Sequence, residues 1–233
     1  MLEAAVQELK QEIDEHDGAN VVSREFARRV DELIGVFYDD IGAITNVSTH
    51  TLFDLFVIKV LYVERSSTDA SVVQYLGRML DRSLDTRELF LIDSSGRPSL
   101  RYLSDLLQEN RQRACVQNLF ETYREYGDNS LFVTGVFPRA LRGRRRGRWA
   151  TRGSFVDRSY YVSTGKRCYL LAAQQELAEL TQQRELLAKL SAYFEVYLEA
   201  LNEMSERYIM GFDLTLIADK MLDHFNRYRQ TGE

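Results

Sequence analysis

The most unusual chemistry in the sequence is a concentration of positive charge between Asn129 and Val156. This stretch has no acidic residue, and it holds Trp149 and seven arginines: Arg139, Arg142, Arg144, Arg145, Arg146, Arg148 and Arg152. Because the whole chain carries a net charge of −5, these seven charges leave −12 for the rest of it. A guanidinium group makes forked contacts with phosphates and carboxylates, and an indole can stack on a base. The stretch therefore predicts a contact with a polyanion.

The glycines of this stretch predict its backbone form. Gly143, Gly147 and Gly153 disfavour a stable helix, so residues 139–153 are expected to form an exposed loop. Such a loop fits a contact with a nucleic acid or with an acidic protein surface. It also fits a loop with no external partner, either solvated or neutralised by the acidic helices of the chain itself. The acidity of the remaining chain argues against a protein that coats DNA through a broad basic face, but it permits a local contact by one loop.

Asp54 is a second residue that could take part in chemistry, and it interrupts the apolar residues 52–62. A carboxylate buried in such a segment must be paired or neutralised. We expect a structural ion pair with an arginine from another helix. The alternative is a functional carboxylate in a ligand-binding or catalytic site that also uses nearby tyrosines.

The remaining motifs give no support for catalysis. Thr-Gly-Lys at residues 164–166 lacks the spacing of a phosphate-binding loop, and the two cysteines, Cys115 and Cys168, are too far apart for a zinc motif and are expected to be buried apolar residues. None of the three histidines follows a glutamate in the ExxH arrangement of helical di-metal sites: His16, His50 and His224. We expect no metal and no cofactor, and we favour binding over enzymatic activity.

Composition and apolar spacing predict the framework that carries these residues. Only two prolines, Pro98 and Pro138, interrupt the 233 residues, of which 45% are apolar. A chain with so few helix breakers favours an all-α protein. We expect a single domain over residues 1–233, built as one bundle of about eight helices.

Two amphipathic stripes open the chain, and their members are Leu2, Ala5, Val6, Leu9 and Ile13, then Phe26, Val30, Leu33, Phe37, Ile41 and Ile44. Residues 52–62 are apolar on nearly all sides, which indicates a central helix, although a buried strand fits the same pattern. A further helix or pair of helices is expected over residues 69–91, followed by a loop over 93–99. A long helix should then run from Ser99 to Gly127, a plausible glycine just beyond a helix end.

The second half of the chain is expected to be helical beyond Asp157, whereas residues 130–138 fit either a short helix or a strand. Gly165 lies on a face where it would allow another backbone to approach closely. A heptad seam runs through Leu187, Leu190, Phe194, Tyr197, Leu201, Met204 and Tyr208, and it is widened at the g position by Leu186, Tyr193 and Ala200. Gly211 is expected to end this helix, and residues 212–229 to form the last one.

Together these features predict a cytoplasmic, non-enzymatic binding protein. It would contact nucleic acid or an acidic partner through its arginine-rich loop. One alternative is a helical adaptor or inhibitor that binds another protein through the heptad face, and residues 186–208 also offer a route to a homo-oligomer. The other alternative is the ligand-binding or catalytic bundle around Asp54. No apolar stretch approaches the roughly 18 residues that a membrane span needs, and the first residues lack an export signal, so no membrane contact is expected.

Overall fold

The structure is a computed structural model that describes residues 2–16, 22–39, 47–67, 69–83, 90–92, 98–100, 119–137 and 158–209. Within these ranges the chain forms nine α-helices, two of them extended by π-helical turns, and one pair of three-residue strands. The all-α fold class that the sequence predicts is confirmed. No described helix is both long enough and apolar enough to cross a membrane.

Four helices form the first part of the bundle. They are α1 (Leu2–Glu15), α2 (Arg24–Asp39), α3 (Thr49–Val57), which continues as a π-helical turn over Ile58–Val63, and α4 (Ala70–Arg82). The buried side chains follow the predicted stripes, with Leu2, Val6, Leu9 and Ile13 in α1 and Phe26, Val30 and Phe37 in α2. Leu33 packs against the core while half-buried. Ile41 and Ile44 lie outside the described residues.

The central position of α3 is also confirmed. Residues 55–58 and 60–62 are all buried, as expected for a helix with neighbours on every side. Ser48 caps α3 by accepting a hydrogen bond from the Thr51 backbone N–H, and Asp69 caps α4 through the Val72 N–H. Short polar residues are favoured at this position because their side-chain oxygens pair with otherwise unpaired N–H groups of the first turn.

The region after α4 departs from the sequence-based expectation. The helix ends at Arg82, and β1 (Phe90–Ile92) pairs in antiparallel fashion with β2 (Pro98–Leu100), so that Phe90 lies opposite Leu100. The expected helix from Ser99 is therefore wrong at its start. A three-residue apolar run is too short for its periodicity to separate a strand from a helix end. Residues 93–97 of the expected loop and residues 101–118 lie outside the described ranges.

The next helix corrects a second expectation. Gly127 does not end a helix, because it lies in the middle of α5 (Leu119–Val136). The same helix includes the ambiguous segment from Ser130 to Val136, which is therefore helical. Glycine at this position is explained by packing, since the helix approaches the ring of Tyr169 there.

The last described helices are α6 (Arg158–Ala173), α7 (Glu176–Leu180), α8 (Arg184–Ala192) and α9 (Phe194–Met204), which continues as a π-helical turn over Ser205–Ile209. The heptad seam is buried from Leu187 to Met204, and Tyr208 is half-buried. Its helix is interrupted at Tyr193, which is 56% exposed, so the expected burial of the g position is correct for Ala200 and wrong for Tyr193. Gly211 and residues 212–229 lie outside the described residues.

Candidate functional site

The predicted arginine-rich site lies outside the described residues, which end at Phe137 and begin again at Arg158. This holds for Arg139, Arg142, Arg144, Arg145, Arg146, Arg148, Trp149 and Arg152. The structure does describe the two helices on either side, α5 and α6. Their mutual arrangement determines where the chain leaves and re-enters the bundle.

Helices α5 and α6 form an antiparallel pair and pack along much of their length. A Cβ built on Gly127 would lie 2.6 Å from the Tyr169 ring, and one built on Gly165 would lie 2.7 Å from the Ser130 hydroxyl. As residue numbers increase along α5, the numbers of the residues that they contact in α6 decrease, so the two helices are antiparallel. Each step of one residue towards the end of α5 corresponds to a step of one residue towards the start of α6. The end of α5 therefore lies at about the same level as the start of α6.

Small residues make this close packing possible. The Ser130 hydroxyl donates to the Tyr161 backbone carbonyl, which joins the helices directly. The expectation that Gly165 lies at a close approach is confirmed in part, since a Cβ built on Gly165 would also lie 2.7 Å from the Phe194 ring. The neighbouring group is an aromatic ring and a hydroxyl, not the second backbone that the sequence suggested.

An open groove of about 650 Å³ lies beside the start of α6. It is lined by Arg158, Ser159, Val162, Ser163, Lys166, Glu195, Leu198 and Glu199. Lys166 Nζ contacts both carboxylate oxygens of Glu195, at 2.9 and 3.0 Å, and this hydrogen bond lowers the pKa of Glu195. Arg158 and Glu199 have no ion pair within the described part of the chain. Among the described residues, the groove thus holds the Arg158 guanidinium and the Glu199 carboxylate without an ion pair, and Arg158 follows the arginine-rich stretch in sequence.

Asp54 is 2% exposed and forms the ion pair expected of a buried carboxylate. Its partner is Lys10 of α1, whose Nζ lies 2.6 Å from Oδ2, and not an arginine as the sequence suggested. An isolated acid in an apolar helix requires a cation but does not specify which one. The other side of the carboxylate is closed by Gly77 of α4, where a Cβ would overlap Oδ1.

His50 adds a second basic group at this carboxylate. Its Nε2 lies 3.4 Å from the same Oδ2 atom of Asp54, and its Nδ1 lies 3.9 Å from Oδ2 of Asp81. The Thr49 hydroxyl donates to the other oxygen of Asp81 at 2.8 Å. Lys10, His50 and two carboxylates from α3 and α4 thus form one cluster under α1.

A buried polar cluster around Asp128 of α5 was missed by sequence reasoning. Asp128 Oδ1 accepts hydrogen bonds from the Tyr75 hydroxyl at 2.6 Å and the Tyr169 hydroxyl at 2.9 Å. Arg82 approaches Oδ2 at 3.5 Å and lies over the Tyr75 ring. One carboxylate therefore connects α4, α5 and α6. The only signal in the sequence was an acid beside a glycine, which was assigned to a helix end.

Burial dominates the electrostatics of this cluster. It raises the pKa of Asp128 above its usual value, against the opposing effects of the Tyr75 hydrogen bond and the Arg82 charge. Burial likewise raises the pKa of both tyrosine hydroxyls well above the usual range. Two tyrosines that stay neutral and donate to one enclosed carboxylate hold helices together; they offer no ionised group to a substrate.

The other candidate residues have local roles. Cys168 is buried, and burial raises the pKa of its thiol to about 11, so it is a poor nucleophile; Cys115 lies outside the described residues. His16 makes a 2.8 Å hydrogen bond to the Glu12 carbonyl, and His224 lies outside the described ranges. Within those ranges, no three His, Cys, Asp or Glu side chains are grouped so that they could hold a metal ion.

The heptad face is used inside the chain. Its six positions from Leu187 to Met204 are at most 5% exposed, because α8 and α9 pack on α4, α5 and α6. The exposed apolar side chains of this segment are Tyr193 and Val196. Association through residues 186–208, as an adaptor or a homo-oligomer, stays a prediction, and it would have to use these two positions.

No protein-family model, curated protein or solved structure matches the chain. Its function has therefore to be inferred from its own residues.

Proposed function

We propose that this chain is a non-enzymatic binding protein that contacts nucleic acid through the arginine-rich segment, residues 139–153. The observation that carries the proposal is the segregation of charge: seven arginines and no acid lie between Asn129 and Val156, in a chain that otherwise carries −12. Phosphates attract such a cluster through long-range electrostatics, and the guanidinium groups add forked hydrogen bonds.

The helices on either side support this role. Residues 138–157 connect the two ends of an antiparallel helix pair whose contacts are close and well packed. Connections longer than about 12 to 15 residues are uncommon in compact domains and are often functional. The twenty-one residues from 137 to 157, which separate the end of α5 from the start of α6, exceed that length.

The rest of the surface favours a local contact. Exposed acids without an ion pair among the described residues occur on α1 and in the π-helical turn after α9, among them Glu8, Glu15 and Glu206. These carboxylates repel a phosphate backbone and direct it to the one end of the molecule that is basic in sequence. The nucleic acid would thus meet the protein at the arginine segment and at Arg158, the first residue of α6.

The test is fluorescence anisotropy with labelled single- and double-stranded DNA and RNA across a salt series. With about 3 to 5 arginines on phosphates, log K should fall with log salt by about 0.7 to 0.9 per contact, so affinity should drop about 10- to 500-fold between 50 and 200 mM salt. Replacing Arg144, Arg145 and Arg146 by alanine should weaken binding and flatten the slope. Trp149→Ala should weaken single-strand binding selectively, because a base loses its stacking partner.

A matched control removes the same number of charges elsewhere. Arg24, Arg78 and Arg167 are exposed and have no ion pair within the described residues, so their replacement by alanine changes the net charge equally. This control should bind as the parent does. If both triple variants lose affinity alike, only net charge matters and the proposed site is wrong. If no nucleic acid binds even at low salt, an acidic protein partner becomes the better hypothesis.

A further inference from the structure

Helix α1 is attached to the bundle by an apolar stripe and one buried ion pair, and by more exposed contacts of Glu12 with Arg29, Asp14 with Gln74 and Glu3 with the Ser48 N–H. Leu2, Val6, Leu9 and Ile13 are at most 5% exposed, and Lys10 is the residue of α1 that reaches Asp54. From the arrangement around this pair we infer that α1 is held by a pH-sensitive latch, in which protonation of His50 competes with Lys10 for Asp54 and loosens the helix.

Asp54 has little freedom to change its position. Gly77 closes one side of the carboxylate, where any Cβ would overlap it, and the side chain as a whole is 2% exposed. Its charge must therefore be neutralised in place. Among the described residues, two side chains lie within 4 Å to do so, Lys10 and His50, and both contact Oδ2.

His50 is arranged to take a proton without leaving its position. Its Nδ1 atom is buried and has no hydrogen-bond partner among the described residues, yet it faces Asp81 Oδ2 at 3.9 Å. A proton there would bring an N–H donor toward Asp81, whose other oxygen is already held by Thr49. The imidazolium would then lie between two carboxylates, from α3 and α4.

The two states of His50 have opposite consequences for α1. With neutral His50, Asp54 depends on the Lys10 ammonium, which fixes α1. With protonated His50, Asp54 has a second positive partner on its own helix, and Lys10 lies beside a like charge that shares its acceptor oxygen. The charged groups that face His50 are thus Asp54 on α3, Asp81 on α4 and Lys10 on α1; Glu3 of α1 binds the Ser48 backbone N–H nearby.

The apolar stripe sets the size of the effect. Four buried aliphatic side chains keep α1 docked in most molecules at either pH. Protonation therefore shifts an opening equilibrium and does not release the helix completely. We expect the fraction of molecules with α1 detached to rise about tenfold between pH 7.5 and 5.5.

Hydrogen exchange followed by mass spectrometry tests this on the full chain. Protection factors of peptides from α1, corrected for the intrinsic pH dependence of exchange, should fall about tenfold on acidification, while those from α5 and α9 should not. His50→Gln should remove the response. His16→Gln is the matched control, because His16 is an exposed histidine directly after the last residue of α1, and this variant should keep the response.

A second variant, Lys10→Met, should reverse the direction in which the protection of α1 changes with pH. In Lys10→Met the ammonium is gone, so protonated His50 becomes the cation that neutralises Asp54. Acidification should then increase the protection of α1 instead of lowering it. An unchanged protection of α1 between the two pH values in the parent chain, or a response that persists in His50→Gln, would overturn the latch.

Discussion

The Tyr169 ring lies directly on Gly127. A Cβ at Gly127 would stand 2.6 Å from two carbons of this ring, closer than real side chains pack. The ring cannot easily move away, because Tyr169 is fully buried and its hydroxyl donates to Asp128. A glycine inside α5 thus supports both the helix contact and the hydrogen bond beneath it.

Gly127→Ala should therefore destabilise the protein by about 1 to 2 kcal/mol, because overpacking against a fixed ring outweighs the better helix propensity of alanine. The control is Gly35→Ala in α2, where an added Cβ meets no atom within 4 Å. That change should stabilise by about 0.5 to 1 kcal/mol. Urea denaturation measures both, and equal shifts in the two variants would contradict the close approach.

The Asp128 cluster predicts a pH dependence of stability. Burial raises the pKa of Asp128 in the folded chain above its ordinary value of 3.8. At pH values between the ordinary pKa and the raised one, the folded state therefore binds more protons than the unfolded state. The contribution of Asp128 to the free energy of unfolding is then largest at low pH and falls as pH rises from the ordinary value through the folded one.

Asp128→Asn provides the comparison, because Asp69 and Glu195 have lowered pKa values and change stability with the opposite sign. The stability of the parent minus that of Asp128→Asn, from urea denaturation at several pH values, should decrease as pH increases. A difference that grows with pH would mean that the folded protein favours the ionised carboxylate.

Arg158 and Lys166 should contribute differently if the proposed function is correct. Arg158 has no ion pair among the described residues, whereas Lys166 is neutralised by Glu195. Arg158→Ala should weaken nucleic-acid binding and reduce the salt slope by about 0.7 to 0.9, the value of one phosphate contact. Lys166→Ala should leave affinity within about twofold of the parent. An anisotropy titration in which Lys166→Ala weakens binding more than Arg158→Ala would contradict this assignment.

Sequence periodicity predicted most helices correctly, because a helix that buries one face needs apolar residues at a helical spacing. The stripe of α1 and the seam from Leu187 to Met204 are buried as expected. Periodicity does not report a local break such as that at Tyr193, since the apolar spacing continues through it. It also gave no basis for recognising β1 and β2, which are only three residues each.

For buried polar contacts, the sequence predicted that a partner was needed but not which residue provides it. The position of Asp54 in an apolar helix predicted that a cation would pair with it. The sequence did not indicate which residue, and in the folded chain it is Lys10 of α1. Asp128 was missed because Gly127 was assigned to a helix end, and glycine serves equally for helix ends and for close approach. Its tyrosine partners come from 53 residues before it and 41 residues after it. The sequence offers no short-range pattern for such a contact.

The antiparallel pairing of α5 and α6 has a consequence for how this region can change in evolution. Because the two helix ends lie at about the same level, a short turn would also join them. The helix contacts at Gly127, Ser130 and Gly165 are made by residues outside 138–157. If the proposed function is correct, exchange of this one connection would change the ligand specificity without altering the residues that make these contacts.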